Sequence, residues 1–232
     1  MVHTIRSAIF KTVRSLRANL TKIQKRIAAA AERAERDPGG ITLVAVTKTH
    51  PASVIKAAIK AGITTFGENK VQEAEAKISE VGRDKAEWHL IGHLQKNKAR
   101  KAAVLFDVIH SLDSPELAHR LERMCEEEGR ETLSVLVQVD LAGEKTKSGI
   151  VETQLPLLVE VLKRCSRLRF DGLMVMPPLF EDPEETRPYF VRLRNIRDRL
   201  RDEGAFSGGA GHLSMGMSHD LEVAVEEGST IV

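Results

Sequence analysis

Short apolar runs alternate with amphipathic stretches along most of this chain. Some runs, such as LVAV at 43–46 and VLVQV at 135–139, are almost continuously apolar, which is typical of parallel strands covered on both faces. The pattern predicts strands at 41–47, 64–67, 88–92, 108–112, 133–139, 170–176, 212–215 and 230–232. It predicts helices between them, at 52–61, 70–81, 96–103, 115–128, 154–165, 184–203 and 220–227.

Strict alternation of strands and helices predicts an α/β fold, and eight strands match a (β/α)8 TIM barrel. An open doubly wound sheet is the alternative, but no Gly-x-Gly-x-x-Gly follows any predicted strand. Pro51 and Pro115 lie at predicted helix starts, and Gly62, Gly129 and Gly228 follow helix ends. No linker or low-complexity segment divides the 232 residues, so we expect a single domain.

Residues 1–40 show a different pattern. The first 31 residues are rich in Arg and Lys and nearly free of acids, as an organellar transit peptide also is. Their apolar residues, however, form one helical stripe made of Ile9, Val13, Leu16, Leu20, Ile23 and Ile27. Because the stripe runs straight towards the first strand, we expect an extra N-terminal helix that packs on a barrel formed by 41–232. An apolar stripe of this kind can also pair with a second copy of the chain, so we expect a monomer or a weak homodimer.

Composition excludes several classes of partner. The net charge is only +2, so the protein has no large electrostatic field that would favour binding to nucleic acid or an anionic membrane. No apolar stretch is long enough to cross a bilayer. The two cysteines, Cys125 and Cys165, form no CxxC pair, which indicates a reducing compartment and hence a cytoplasmic protein.

Lys48 ends the first predicted strand, which is otherwise apolar. Strand parity points its side chain the same way as Val44 and Val46. A lysine there must reach solvent, pair with an acid or be used chemically. Partial desolvation favours the free amine, which can attack an aldehyde. A lysine that closes the strand in an ion pair is the alternative.

Two further segments follow strand ends. In FGENKVQE, Asn69 either caps the next helix or faces the barrel mouth, and the motif alone favours the cap. In WHLIGHLQKNK, His93 is placed to reach the mouth, whereas His89 is expected within the strand. No Glu or second His stands at ligand spacing, so no metal site is expected. The basic run at 96–101 lacks interleaved aromatics and fits a solvated helix face better than a nucleic-acid site.

The segment HLSMGMSHD follows the seventh predicted strand, where barrels commonly bind phosphate with loop amides and a helix N-terminus. Gly216 permits close backbone approach, and Ser214 and Ser218 offer hydroxyl donors. We also expect Ser218 or Asp220 to cap the following helix. A lysine after strand one and a phosphate site after strand seven together fit pyridoxal 5′-phosphate (PLP), which has an aldehyde and a phosphate.

Taken as a whole, the sequence resembles the pyridoxal-phosphate homeostasis proteins (YggS-like), which share the barrel of the alanine racemase N-terminal domain. The matching segments are LVAVTKTHP, FGENKVQE, WHLIGHLQKNK, VIHSLDS, GLMVMPP and HLSMGMSHDLEVAVEEGST. The resemblance implies a cofactor pocket made of Lys48, Asn69, Met174, Ser214, Gly216 and Met217. In this pocket Lys48 holds PLP as a Schiff base, Asn69 lies beside the cofactor and Met174 lies near its ring. The implied role is in vitamin B6 balance, without established turnover.

Three functions stay open at this point: a cofactor carrier or regulator, an amino-acid racemase, and a Schiff-base aldolase acting on a phosphorylated sugar without bound cofactor. Racemization needs a second acid or base on the ring face opposite the lysine. Alanine racemases use a tyrosine there and add a C-terminal β domain. This chain has a single tyrosine, Tyr189, and no second domain, so the carrier role is expected.

The sequence departs from the family pattern at one end. The resemblance implies an Arg-Ile-Gly segment and a final helix after the last strand, with contacts near the pyridine nitrogen and the phosphate, whereas this sequence stops at Thr230-Ile231-Val232. A barrel that stopped inside its eighth strand would leave an open edge. Either a further tail follows Val232, or this form binds the cofactor weakly; because of the open edge, we expect the tail.

Overall fold

The structure, a computed structural model, describes residues 2–143 and 148–232, with side chains of the first helix from Thr12 onward. Its α-helices are α1 (Val2–Arg33), α2 (Ala52–Ala61), α3 (Val71–Val81), α4 (Ala99–Leu105), α5 (Pro115–Glu127), α6 (Leu155–Arg164), α7 (Arg187–Asp202) and α8 (Leu221–Glu226). Its strands are β1 (Ala45–Val46), β2 (Thr65–Glu68), β3 (Glu87–Leu90), β4 (Val108–Leu112), β5 (Leu133–Asp140), β6 (Ile150–Val151), β7 (Leu168–Met174) and β8 (His212–Ser214).

The strands form a closed parallel barrel. They follow one another in the order β1-β2-β3-β4-β5-β7-β8, and every pair is parallel. The last three residues complete the ring, because Ile231 bridges to Ser214 on one side and to Thr42 on the other. Thr42 N–H donates to the Thr230 carbonyl at 2.8 Å, and Val232 N–H donates to the Thr42 carbonyl at 2.9 Å. The predicted barrel is confirmed, and residues 230–232 are paired on both sides, so they leave no open edge.

Two local predictions differ from the structure. The first strand was predicted at 41–47, but only Ala45–Val46 pair with β2. The preceding residues pair with the C-terminal residues instead, as Thr42 does with Ile231. The strand β6 is missing from the prediction. It has two residues and pairs only with β5, so it is too short to show any alternation.

Apolar side chains fill both layers of the barrel. The interior is packed by one cluster of buried residues from different strands: Val44, Val108, Leu136, Met174 and Ile231. A larger cluster lies between the strands and the helices and includes Phe66, Trp88, Phe106 and Phe170. All five residues of β4 are buried, as expected for a parallel strand covered on both faces. Some polar side chains are also buried within the strands, among them His89, His110 and Ser111.

The helix α1 packs on the outside of the barrel. Its residues Ile27 and Ala30 contact a cluster that contains Leu221 and Val225 of α8. Two ion pairs also join α1 to α8, namely Arg26–Glu222 and Arg33–Glu226. Ile9, the first residue of the predicted stripe, lies outside the described side chains, but the rest of the stripe faces the domain as predicted for a structural helix. No helix in the described part of the chain is long and apolar enough to span a membrane.

Candidate functional site

A cavity of about 190 Å³ opens at the carboxyl ends of the barrel strands. Its lining includes all six residues that the resemblance assigns to a cofactor pocket: Lys48, Asn69, Met174, Ser214, Gly216 and Met217. Its walls are completed mainly by apolar residues, among them Val44, Val46, Ile91, Met176 and Ile231, and by His110. Side chains from both ends of the chain thus converge on a single cavity.

Lys48 lies in the tight turn that follows β1. His50 N–H donates to the Thr47 carbonyl at 3.0 Å and closes the turn. Thr49 has a φ of 65°, a left-handed conformation that β-branched residues rarely adopt. Lys48 is exposed at the rim rather than partly buried, and its ammonium group has no hydrogen bond or ion pair with any residue within 2–143 or 148–232. The ion-pair alternative is therefore not observed, and the amine is left available to a ligand.

An ionic cluster of Glu68, Glu73 and Lys77 lies behind this turn; Glu68 and Lys77 are buried, and Glu73 is partly exposed. Lys77 Nζ donates to Glu68 Oε1 at 2.8 Å, to Glu73 Oε1 at 2.7 Å and to the Thr47 carbonyl at 2.6 Å. Glu73 Oε1 also accepts the Thr49 N–H at 2.6 Å. The hydrogen bond from Lys77 holds the pKa of Glu73 below its usual value. The cluster thereby fixes the backbone on both sides of the exposed lysine.

Asn69 lines the cavity and does not cap a helix. The N-cap position of α3 belongs to Lys70, which makes no side-chain capping bond. The predicted cap was wrong, and Asn69 is instead one of the residues that line the cavity. Gly92 faces the Asn69 backbone so closely that a Cβ added there would lie 2.2 Å from the Asn69 carbonyl oxygen. Only glycine therefore permits the loops after β2 and β3 to meet at the cavity.

The turn after β8 presents backbone to the cavity. Gly216 has a φ of 96°, and a Cβ added there would lie 2.4 Å from the Ala224 Cβ. Met217 N–H donates to Asp220 Oδ1 at 2.6 Å, and Asp220 makes no capping bond to α8, so the predicted side-chain cap was wrong. In the described part of the chain, the N–H groups of Gly216 and Ser218 have no hydrogen-bond acceptor. The turn therefore leaves two backbone donors unsatisfied.

His110 is the polar residue of the cavity that the sequence analysis missed. It is fully buried, and its Nδ1 lies 2.8 Å from Ser214 Oγ. Its Nε2 lies 2.9 Å from Nδ1 of His89, which is buried inside the barrel. Burial lowers the pKa of His110 well below its usual value, and the neighbouring His89 and His212 lower it further. A histidine within the apolar run of β4 was the available signal.

Other candidates lie away from the cavity. His93 is exposed, with its Nδ1 3.4 Å from Asp113 Oδ2, and it is not among the residues that line the cavity. Tyr189 packs against Phe180 with ring centroids 5.9 Å apart. Cys125 and Cys165 are free thiols, and burial raises the pKa of each to about 11, which makes both unreactive. In residues 2–143 and 148–232, no group of three or more His, Cys, Asp or Glu side chains is placed to hold a metal ion.

Comparisons with known proteins agree on one family. The alanine racemase N-terminal domain family matches residues 18–231. A pyridoxal phosphate homeostasis protein of Aquifex aeolicus is 40% identical over 213 residues, which cover 92% of this chain and 92% of the relative. The pyridoxal phosphate homeostasis protein of Escherichia coli K12 is 41% identical over 221 residues, covering 92% of this chain and 91% of the relative.

Solved structures give the same answer. PipY of Synechococcus elongatus, solved with PLP bound, superposes with a TM-score of 0.75 at 39% identity, covering 90% of this chain and 95% of that chain. Alanine racemase of Corynebacterium glutamicum shares the fold, with a TM-score of 0.57 at 16% identity. That match covers 84% of this chain and 53% of the racemase. The chain therefore belongs to the pyridoxal phosphate homeostasis protein family, which is built on the barrel of the alanine racemase N-terminal domain.

Proposed function

We propose that this protein binds PLP in the cavity at the barrel mouth, with Lys48 as the residue that captures its aldehyde. In this role it holds the cofactor for intracellular vitamin B6 homeostasis without turning over a substrate. The observation that supports the proposal most is that Lys48, whose amine has no partner among the described residues, and the turn 214–217 line the same cavity of about 190 Å³.

The donors around the cavity fit the cofactor. PLP supplies an aldehyde that acts as an electrophile, together with a phosphate that needs hydrogen-bond donors. Lys48 offers an amine without a competing partner among the described residues, and Gly216, which lines the cavity, offers an N–H donor suited to a phosphate. Met174 and Ile231 give the apolar wall that a flat aromatic ring requires.

The same cavity argues against a racemase. A racemase needs a second acid or base across the ring from the lysine. Among the described residues that line the cavity, Lys48 and His110 are the titratable ones. His110 is kept neutral by burial and is engaged with Ser214 and His89, so it is poorly suited to exchange protons with a substrate.

Trapping the lysine tests this proposal. The full chain is incubated with PLP, reduced with borohydride, digested and analysed by mass spectrometry. We expect visible absorption before reduction and a pyridoxyl label on Lys48, with both lost in Lys48→Ala. Lys56→Ala, which changes an exposed lysine paired with Glu80, is the matched control and should keep both. A colourless wild type, or a label on another lysine, contradicts the proposal.

Turnover is tested with the loaded protein. Incubation with L-alanine should give no D-alanine above a protein-free PLP control. Sustained conversion that disappears in Lys48→Ala would replace the carrier role by the racemase alternative.

We also propose that the protein acts in the cytoplasm as a monomer or weak homodimer, without nucleic acid. The cationic side chains of the 96–101 run are partly neutralised, because Arg100 pairs with Glu127 and Glu128 and Lys101 pairs with Glu75. The two free thiols suit a reducing compartment. Sedimentation equilibrium checks the assembly state, and a dimer that persists on strong dilution would contradict this part.

A further inference from the structure

Four polar side chains form a chain through the interior of the barrel. Ser214 Oγ, at the cavity, lies 2.8 Å from His110 Nδ1, and His110 Nε2 lies 2.9 Å from His89 Nδ1. His89 Nε2 lies 3.3 Å from Glu87 Oε1, at the opposite end of the barrel, where β3 begins. His110 and His89 are 0% and 2% exposed. The chain thus links the cavity to the far end of the barrel across β8, β4 and β3.

The imidazoles of His89 and His110 determine which group donates and which accepts in each hydrogen bond of this series. A neutral imidazole has one N–H donor and one bare nitrogen acceptor, so a ring that accepts at one nitrogen must donate from the other. Burial keeps His110 neutral. The hydrogen position at His89 therefore decides the hydrogen position at His110, and His110 in turn decides which way the Ser214 hydroxyl points.

Glu87 sets the direction at the far end. A carboxylate only accepts hydrogen bonds, and the contact with His89 keeps the pKa of Glu87 below its usual value, so Glu87 is ionised at neutral pH. A bare His89 Nε2 would place a lone pair against this negative charge, whereas an Nε2–H is attracted to it. The contact does not meet hydrogen-bond geometry, because His89 Nε2 has no hydrogen-bond partner among the described residues, so its effect is electrostatic.

From this geometry we infer that His89 and His110 are positioning residues that make Ser214 a hydrogen-bond acceptor towards the ligand cavity. With hydrogen on His89 Nε2, the His89 Nδ1 accepts from His110 Nε2–H, and His110 Nδ1 accepts the Ser214 hydroxyl hydrogen. The Ser214 oxygen then faces the cavity with its lone pairs. The nature of the ligand rests on the proposed function, but the direction of the hydrogen bonds from His89 to Ser214 does not.

This direction changes the role expected for Ser214. From the sequence, the Ser214 hydroxyl was expected to donate to a phosphate, yet a hydroxyl whose hydrogen is held by His110 repels a phosphate oxygen. Ser214 instead suits a donor on the ligand, such as a protonated ring nitrogen or a ring hydroxyl. The phosphate is then left to the backbone donor of Gly216, which lines the cavity.

Nitrogen-15 NMR of the full chain without ligand tests the inference directly. Long-range proton–nitrogen correlations identify the tautomer of each histidine, and the exposed His119 serves as an internal reference. At a pH where both rings are neutral, we expect His89 and His110 to be in the Nε2–H form. An Nδ1–H form of His110 under these conditions would overturn the inference. Because no cofactor is present, this result does not depend on whether PLP binds.

A charge-reversal pair tests the role of Glu87. Glu87→Lys replaces the carboxylate beside His89 Nε2 by a donor, so we expect both imidazoles to switch to Nδ1–H. Glu131→Lys makes the same charge change at an exposed residue just before β5, at the same end of the barrel, and should leave both tautomers unchanged. Retention of Nε2–H on His110 in Glu87→Lys, or a switch in Glu131→Lys, would show that Glu87 does not set the direction. Glu87 is half exposed, so neither variant disturbs the core.

Discussion

Lys48, in the turn after β1, and Lys77, which lies behind that turn on α3, have opposite environments. Lys48 is exposed, and its amine is unpaired within the described residues. The side chain of Lys77 is 8% exposed and donates to two carboxylates and to the Thr47 carbonyl. The cluster around Lys77 holds the backbone from which Lys48 projects.

The two environments suit two different roles, a reactive amine at Lys48 and a rigid support for the turn at Lys77. A lysine in an ion pair keeps its proton and is a poor nucleophile, so the reactive amine benefits from having no partner. A buried ionic cluster adds stability only when all its members are satisfied, but when satisfied it specifies one geometry. We interpret Lys77 as the residue that positions the turn and Lys48 as the residue that reacts.

The largest expected effect comes from breaking the cluster. Lys77→Met leaves the buried Glu68 carboxylate without its cation, and we expect the free energy of unfolding to fall by about 3–5 kcal/mol. Lys48→Met should change it by less than ~0.5 kcal/mol, since this side chain is exposed. Urea unfolding followed by the fluorescence of Trp88, the single tryptophan, measures both. Equal losses of unfolding free energy in the two variants would contradict the different roles given to Lys77 and Lys48.

A smaller effect is expected from the hydroxyl that joins the turn to the cluster. Thr47 Oγ1 donates to Glu68 Oε1 at 2.6 Å inside the protein. Thr47→Val keeps the shape and removes this charge-assisted bond, so we expect a loss of about 1.5–3 kcal/mol and weaker PLP binding. Thr64→Val, at an exposed threonine before β2, is the control. Unchanged PLP affinity in Thr47→Val would show that the cluster stabilises the fold without positioning Lys48.

The smallest effect is a pH dependence. Because the bond from Lys77 lowers the pKa of Glu73 in the folded state, the ionised carboxylate stabilises the fold above its ordinary pKa of 4.5. This contribution is lost as the pH falls below that value, since Glu73 then takes up a proton more readily in the unfolded chain. We expect Glu73→Gln to flatten the acid side of the stability curve relative to wild type, measured by urea unfolding at several pH values. Glu75→Gln changes a half-exposed carboxylate on the same helix, which pairs with Lys101, and should leave the slope unchanged.

The sequence alone determined the barrel and one end of the site. Apolar runs report burial on both faces locally, and the position of Lys48 at the end of such a run already indicated the barrel mouth. The turn after β8 was found by the same logic. The exposure of Lys48, in contrast, depended on neighbours that local periodicity does not reveal.

Only the tertiary structure decided which polar residues meet. Asn69 was expected to cap a helix because capping is a local rule, whereas its place in the cavity depends on the close approach of Gly92. Ser214 and His110 are 104 residues apart in the chain, and their contact exists because the barrel brings β8 and β4 to face one interior. Local patterns fix which segments form strands and helices, but the direction of a buried hydrogen-bond chain is set by contacts between segments that the sequence keeps far apart.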